Sequence, residues 1–194
     1  METLENLAVL LGLANIVLVV RRSLWNYPFG IAMVALYFFI FANQKLYSDA
    51  LLQIFFLIVQ LYGWWCWVKG RDTAGALIVE RLSARAMLQW AAGLALAIAL
   101  WGWLMHRFTD AAFPWWDASV AMISVGAQIL LSRRYIENWP LWVLVDADAI
   151  GLYAAKGLEK TAILYGVFLL VSAWGWREWV VVGRAQGTAS PLPA

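Results

Sequence analysis

Cysteine is almost missing from this 194-residue chain: Cys66 stands alone, so no disulfide can close within the chain. Its place in an aromatic stretch reads as a packed thiol and not a reactive one. Histidine is as scarce, with only His106, and no spacing of His, Cys, Asp and Glu matches a metal-binding motif. Neither a metal nor a cofactor is expected. Charge is thin, at 13% of residues with a net +2, and the basic residues are dispersed, which speaks against nucleic acid as a partner. No G-x-x-x-x-G-K-[ST] run is present, so ATP hydrolysis is not expected, and no nucleophile lies beside an evident base, so neither is an enzyme. The first residues carry Glu2 and Glu5 instead of the basic start of a secretory signal, and the first apolar stretch is expected to stay in the protein.

What the chain has in excess is apolar surface. Hydrophobic residues make up 64%, against roughly 45–50% in soluble domains, and mean hydropathy is +0.72. Lipid is the expected solvent. Seven stretches, at about 4–20, 27–43, 49–68, 87–105, 115–132, 139–155 and 161–181, approach the length of about 17–25 residues that crosses a bilayer as helix.

The segment from Arg21 to Trp67 repeats without a gap 112 residues later, from Arg133 to Trp179, with 15 of 47 positions identical. The matches include Arg21 and Arg22 on Arg133 and Arg134, Asn26 on Asn138, Pro28 on Pro140, Gly63 and Trp64 on Gly175 and Trp176, and Trp67 on Trp179. Apolar filler alone does not reproduce such punctuation. The duplication pairs the first three spans with the last three and leaves the fourth unpaired. This predicts an all-α integral membrane fold of seven transmembrane helices: two parallel three-helix repeats joined by a linker helix, a 3+1+3 plan. Residues 1–68 form the first repeat, 69–106 a cytoplasmic loop and the linker helix, 107–182 the second repeat, and 183–194 a disordered tail. Internal repeats of this kind mark transporter folds, whose substrate site is expected between the repeats near the bilayer midplane.

Ten of the 14 basic residues, Arg21, Arg22, Lys69, Arg71, Arg81, Arg85, Arg133, Arg134, Arg177 and Arg184, fall on the side reached after the odd-numbered spans. Only Lys45, Arg107, Lys156 and Lys160 fall on the other, so the positive-inside rule places the N-terminus outside and the C-terminus in the cytoplasm. Tryptophans at span ends, Trp25, Trp101, Trp103, Trp115, Trp116 and Trp179, read as interface anchors in contact with membrane lipid. Asp49, after Ser48, reads as the cap of the third span.

Polar side chains at mid-span are expensive in hydrocarbon and are therefore the functional candidates. Gln53 and Gln60 share a helical stripe with Phe56 and Trp64; Trp139, Trp142, Asp146 and Tyr153 form a second stripe on the sixth span. Gln128, Asn15 and Ser172 are weaker additions. In the repeat alignment Trp142 falls on Gly30 and Asp146 on Val34, so only one half supplies a large ring and an acid. Two aromatic faces with an acid suit a flat, cationic heteroaromatic ligand, at about 0.5–2 kcal/mol per cation–π contact; glutamines suit an amide or a sugar hydroxyl. Trp139, beside Pro140, reads equally as an interface anchor. Asn26 and Asn138 each stand two residues before a proline at a helix start, which fits turn chemistry, with a ligand role also open at Asn138. Asp146 is favoured over Asp148, with an internal ion pair as its alternative.

Three segments, Trp25 to Gly30, Tyr47 to Gln53 with Gln60 to Trp64, and Glu137 to Trp142 with Trp174 to Trp179, resemble the PnuC family of bacterial vitamin transporters over nearly the whole chain. The most specific elements are the W-x-x-W of Trp139 and Trp142, then Lys156 to Leu158 and Leu164 to Gly166. The resemblance implies a 3+1+3 fold like that of SWEET sugar carriers, a homotrimer with one pathway per protomer, and a place in the bacterial inner membrane. Within that family W-x-x-W accompanies nicotinamide riboside, so that molecule is the implied substrate, with thiamine or riboflavin as alternatives. The implied mechanism is facilitated diffusion by alternating access with trapping by a cytosolic kinase; proton coupling is its rival. Carried over residue by residue, the substrate contacts are Trp139, Trp142, Gln53 and Gln60, then Asp146, Asn138 and Tyr165. Pro140, inside the W-x-x-W, is a departure from the pattern.

Overall fold

The computed structural model describes residues 2–43, 47–110, 112–155, 157 and 159–189. Within them lie seven helices: α1 (Glu2–Val20), α2 (Asn26–Asn43), α3 (Tyr47–Lys69), α4 (Ala84–Phe108), α5 (Pro114–Ser132), α6 (Asn138–Ala155) and α7 (Glu159–Ala189). Each covers one of the seven apolar stretches. Lys45, Lys156 and Leu158 lie outside the described residues.

Three expectations need correction. α7 does not stop near Val182 but continues to Ala189. Its last turns are held, because Gln186 Oε1 accepts the Val79 N–H at 3.0 Å and Gly183 packs against Ile136 and Val79. Asp49 lies inside the first turn of α3 and not at its cap, since the helix already starts at Tyr47. Trp179 is no interface anchor: it is fully buried, its ring edge against Trp139.

α4 shows most plainly what the apolar excess is for. Twenty-five residues make a helix of about 37 Å at 1.5 Å per residue. Leu88 and Leu96 are 72% and 70% exposed, and Gly102 is the one residue of α4 that is buried. Such a surface is stable in lipid and not in water. Ser83 caps its start by accepting the Ala86 N–H, and the Thr109 hydroxyl closes its end by donating to the Met105 carbonyl at 2.6 Å.

The chain forms two compact units, residues 1–78 with 132–134, and residues 79–131 with 135–194. In the first, α1 packs on α2 and α2 on α3; in the second, α6 packs on α7. The duplication is written into their local geometry. α1 ends where Arg22 turns left-handed at φ 56°, and α5 ends where Arg134 does so at φ 67°. Arginine gains nothing from that conformation, so the hydrogen bonds must hold it. The Ser23 N–H donates to Leu18 O at 2.9 Å and the Tyr135 N–H to Leu130 O at 3.0 Å, the six-to-one bond that closes a helix end. Three residues further on, Asn26 Nδ2 donates to Ser23 O and Asn138 Nδ2 to Tyr135 O, both at 2.6 Å. Both asparagines thus fasten the turn that starts the next helix.

The packing repeats as well. Tyr27 meets Trp67 edge-on, with ring centroids 5.4 Å apart at 89°. Its repeat mate Trp139 meets Trp179 at 5.7 Å and 75°. A glycine makes room each time: a Cβ on Gly63 would lie 2.8 Å from the Tyr27 hydroxyl, and one on Gly175 would overlap the Trp139 ring.

The basic stretch after α3 forms an ordered turn. Asp72 Oδ1 accepts the N–H groups of Ala74 and Ala76 at 2.9 and 2.8 Å, and Gly75 supplies the left-handed residue at φ 81°. Arg134 Nη1 donates to the carbonyls of Gly70 and Ile78 at 3.0 and 3.2 Å, tying both ends of the turn down.

Candidate functional site

Along α6, Asn138, Trp139 and Asp146 are buried and Trp142 is half-buried. Among the described residues, the partner of Asp146 is Ser172 on α7, whose hydroxyl donates to its Oδ2 at 2.7 Å. Asp148 points elsewhere, to α5, where its two oxygens accept from Trp116 Nε1 at 2.6 Å and the Ser119 hydroxyl at 2.5 Å. The two acids thus have different duties, and Trp116, read from sequence as an interface anchor, is a donor to a structural carboxylate. Replacing Asp148 with alanine leaves that indole and hydroxyl without their acceptor, at about 1–3 kcal/mol for each polar group left unsatisfied. The expected outcome is a clearly lower unfolding midpoint in detergent for Asp148→Ala, with Asp148→Asn between it and the parent.

Tyr165 on α7 stacks on Tyr153 of α6, with centroids 5.2 Å apart at 28°, and meets Phe168 edge-on at 5.7 Å. Asp146 and Tyr153 are seven residues apart on one face of α6, so the acid and the tyrosine pair belong to a single polar-aromatic face of the second unit. Trp139 is the exception to the sequence reading of that stripe. It is buried to 1% exposure, wedged between Gly175 and Trp179, and among the described residues its Nε1 meets no acceptor and the buried Asn138 Oδ1 no donor.

In the first unit, Gln53 is buried and Gln60 is half-buried. Gln60 closes over Gly30: a Cβ there would overlap its Nε2 and lie 2.8 Å from Asn15 Nδ2. Asn15 Nδ2 in turn donates to Asn26 O at 2.5 Å. Extending the 112-residue offset, positions 15, 30 and 60 carry Asn, Gly and Gln, while their mates 127, 142 and 172 carry Ala, Trp and Ser. At the matched positions the second unit carries a large ring in place of the glycine and small residues in place of the two amides. Gln53 has Tyr165 as its mate and Val34 has Asp146, so these site candidates also fall on matching positions of the duplicated unit. Asn15 and Ser172, the weaker candidates by sequence, donate hydrogen bonds to Asn26 O and to Asp146, respectively.

Comparison with known proteins agrees with these features. The family model described as nicotinamide mononucleotide transporter matches residues 2–181. The nicotinamide riboside transporter PnuC of Escherichia coli (strain K12) is 28% identical over 210 residues, covering 95% of this chain and 88% of the relative. The riboflavin/roseoflavin transporter RibM of Streptomyces davaonensis is 31% identical over 181 residues, covering 90% and 83%. The crystal structure of the vitamin B3 transporter PnuC superposes with a TM-score of 0.73 at 26% identity, covering 94% of this chain and 82% of that one. With a duplicated helical unit, lipid-facing helices and a match along nearly its entire length, the chain belongs to the nicotinamide mononucleotide transporter family, that of the bacterial membrane transporter PnuC, and is a transporter and not an enzyme.

Proposed function

We propose that this chain carries nicotinamide riboside across the bacterial inner membrane by facilitated diffusion. The observation that carries the substrate assignment is the exchange at one pair of matched positions, Gly30 for Trp142, together with the acid that replaces Val34 at Asp146. A pyridinium ring needs an aromatic face and tolerates a nearby carboxylate, and these residues supply both on one face of α6. Nicotinamide riboside is also what several relatives' names state as their cargo. In this reading Trp139, Trp142, Asp146, Asn138 and Tyr165 bind the substrate, with Gln53 and Gln60 of the first repeat addressing its carboxamide or ribose.

The same reading takes the helices as a 3+1+3 plan, α4 being the linker, in a homotrimer whose protomers each transport. The N-terminus lies outside and the C-terminus in the cytoplasm, supported by the ten basic residues on one side. Alternating access moves the substrate down its gradient, and phosphorylation by a cytosolic kinase keeps it inside.

A second cargo has its own support, since the 31% identity to a riboflavin/roseoflavin transporter is no lower than that to the nicotinamide riboside carriers. Flux decides between them. Proteoliposomes holding the purified chain are expected to equilibrate labelled nicotinamide riboside and to leave riboflavin and thiamine outside. Uptake is expected to be unchanged when a pH gradient is collapsed by an ionophore. Riboflavin flux without nicotinamide riboside flux overturns the substrate; uptake above equilibrium that vanishes with the gradient overturns facilitated diffusion in favour of proton coupling through Asp146.

A further inference from the structure

One face of α7 carries Ala173, Trp176, Arg177, Val180, Val181 and Arg184, at helical spacings that bring them together. This face forms a wall of a groove of about 750 Å³. Arg81, Ile136, Glu137 and Pro140 line the rest. The groove lies wholly within the second unit, neither Asp146 nor Tyr165 lines it, and the transport reading leaves it unused.

Its frame is built. The strand of chain that carries Arg81 is fastened on both sides: the Val79 N–H donates to Gln186 Oε1, the Ile136 N–H to Glu80 O at 2.9 Å, and the Leu82 N–H to Glu137 Oε2 at 3.1 Å. Glu137, the single acid of the lining, thus has one oxygen committed to the backbone. The continuation of α7 beyond Val182 is what brings Arg184 into the groove. The repeat offers a control. Arg177 falls on Trp65, and neither Arg81 nor Arg184 lies in the duplicated segment, so this cluster belongs to the second unit alone.

Guanidinium groups in a cluster recognise phosphate oxygens through charge-assisted, paired hydrogen bonds. A free phosphate has no use for the remainder of the lining, which is apolar: Trp176 and Val181 are 41% and 57% exposed. An amphiphile with one phosphate does. On the topology proposed above the groove lies at the cytoplasmic ends of its helices, where anionic lipid is concentrated, and basic pockets there suit such headgroups. We infer that the groove of Arg81, Arg177 and Arg184 binds an anionic phospholipid, its phosphate on the arginines and its glycerol and first methylenes against Trp176, Val180 and Val181.

Delipidated protein in an uncharged detergent is titrated separately with short-chain phosphatidylglycerol, phosphatidylcholine and inorganic phosphate. Binding is read by the thermal unfolding midpoint and by mass spectrometry of the intact complex. Phosphatidylglycerol is expected to bind saturably and at least about tenfold more tightly than phosphatidylcholine, a difference of about 1.4 kcal/mol. The preference should disappear in the Arg81→Gln, Arg177→Gln double variant. It should persist in Arg21→Gln, Arg85→Gln, which removes the same charge elsewhere. Equal binding of the two lipids overturns the proposal and needs no variant to fold; so does a preference that survives in the first double variant. Release of phosphatidylglycerol by millimolar inorganic phosphate, with phosphate alone giving the same thermal shift, makes the groove a small-anion site and overturns the lipid assignment.

Discussion

Trp142→Ala is expected to weaken binding of nicotinamide riboside by about 30-fold or more, since truncating an aromatic anchor at a ligand-filled position costs about 2 kcal/mol or more. The size of the effect follows from how the second repeat is arranged. Its mate in the first repeat is a glycine closed over by Gln60 and Asn15, and the mates of those two amides in the second repeat are the small Ala127 and Ser172. Trp142 is half-buried, so its truncation removes less packing than that of a fully buried ring. Trp142→Phe keeps a ring and is expected to retain much of the affinity. Thermal unfolding of the two variants in detergent separates loss of binding from loss of fold: both should unfold within a few degrees of the parent. A Trp142→Ala chain that binds normally, or one that binds weakly only because it has unfolded, contradicts a ligand role for this ring.

Gly175→Ala should have the opposite signature, a large loss of stability. A methyl group at 175 overlaps the Trp139 ring, and that ring has nowhere to go because Trp179 bounds it at 5.7 Å. Forcing a methyl into a packed core costs about 1–3 kcal/mol. Relief should come from the ring, not from the helix: Trp139→Phe is expected to recover part of the loss in the Gly175→Ala background while being destabilising alone. Such coupling is what contacting residues show in a double-mutant cycle. Additive effects of the two changes would mean that the glycine serves something other than this contact. The outcome also bears on Trp139 itself. Its burial gives it a packing duty, so Trp139→Ala should lower stability more than Trp142→Ala does, whatever either does to binding.

How far the sequence alone carried this reading depends on which residues one asks about. The seven helices were legible because hydrocarbon demands long apolar runs, and the loops between them announce themselves by charge. The duplication was legible in its punctuation, and the structure adds why that punctuation matters: Asn26 and Asn138 fasten turns, and Gly63 and Gly175 receive a ring. The left-handed Arg22 and Arg134 were not legible, since arginine carries no preference for that conformation and only the surrounding hydrogen bonds impose it. The end of α7 was misread for a related reason. Its Gly-Arg-Ala-Gln-Gly sequence has no apolar period, and the helix persists because Gln186 and Gly183 meet the segment around Val79, more than one hundred residues away in sequence. Mid-span polarity nominated Asp146, Gln53 and Gln60 as site candidates. It did not tell Trp139 from Trp142, because burial against a glycine two helices' length away along the chain is a tertiary fact.

The central claim is that this chain carries nicotinamide riboside, and the most direct measurement is calorimetric titration of the detergent-purified protein with nicotinamide riboside, riboflavin and thiamine in turn. Saturable binding of nicotinamide riboside alone, lost in Trp142→Ala, is the expected result. Binding of riboflavin or thiamine in its place, or of none of the three, would contradict it and leave a transporter of this family with another cargo.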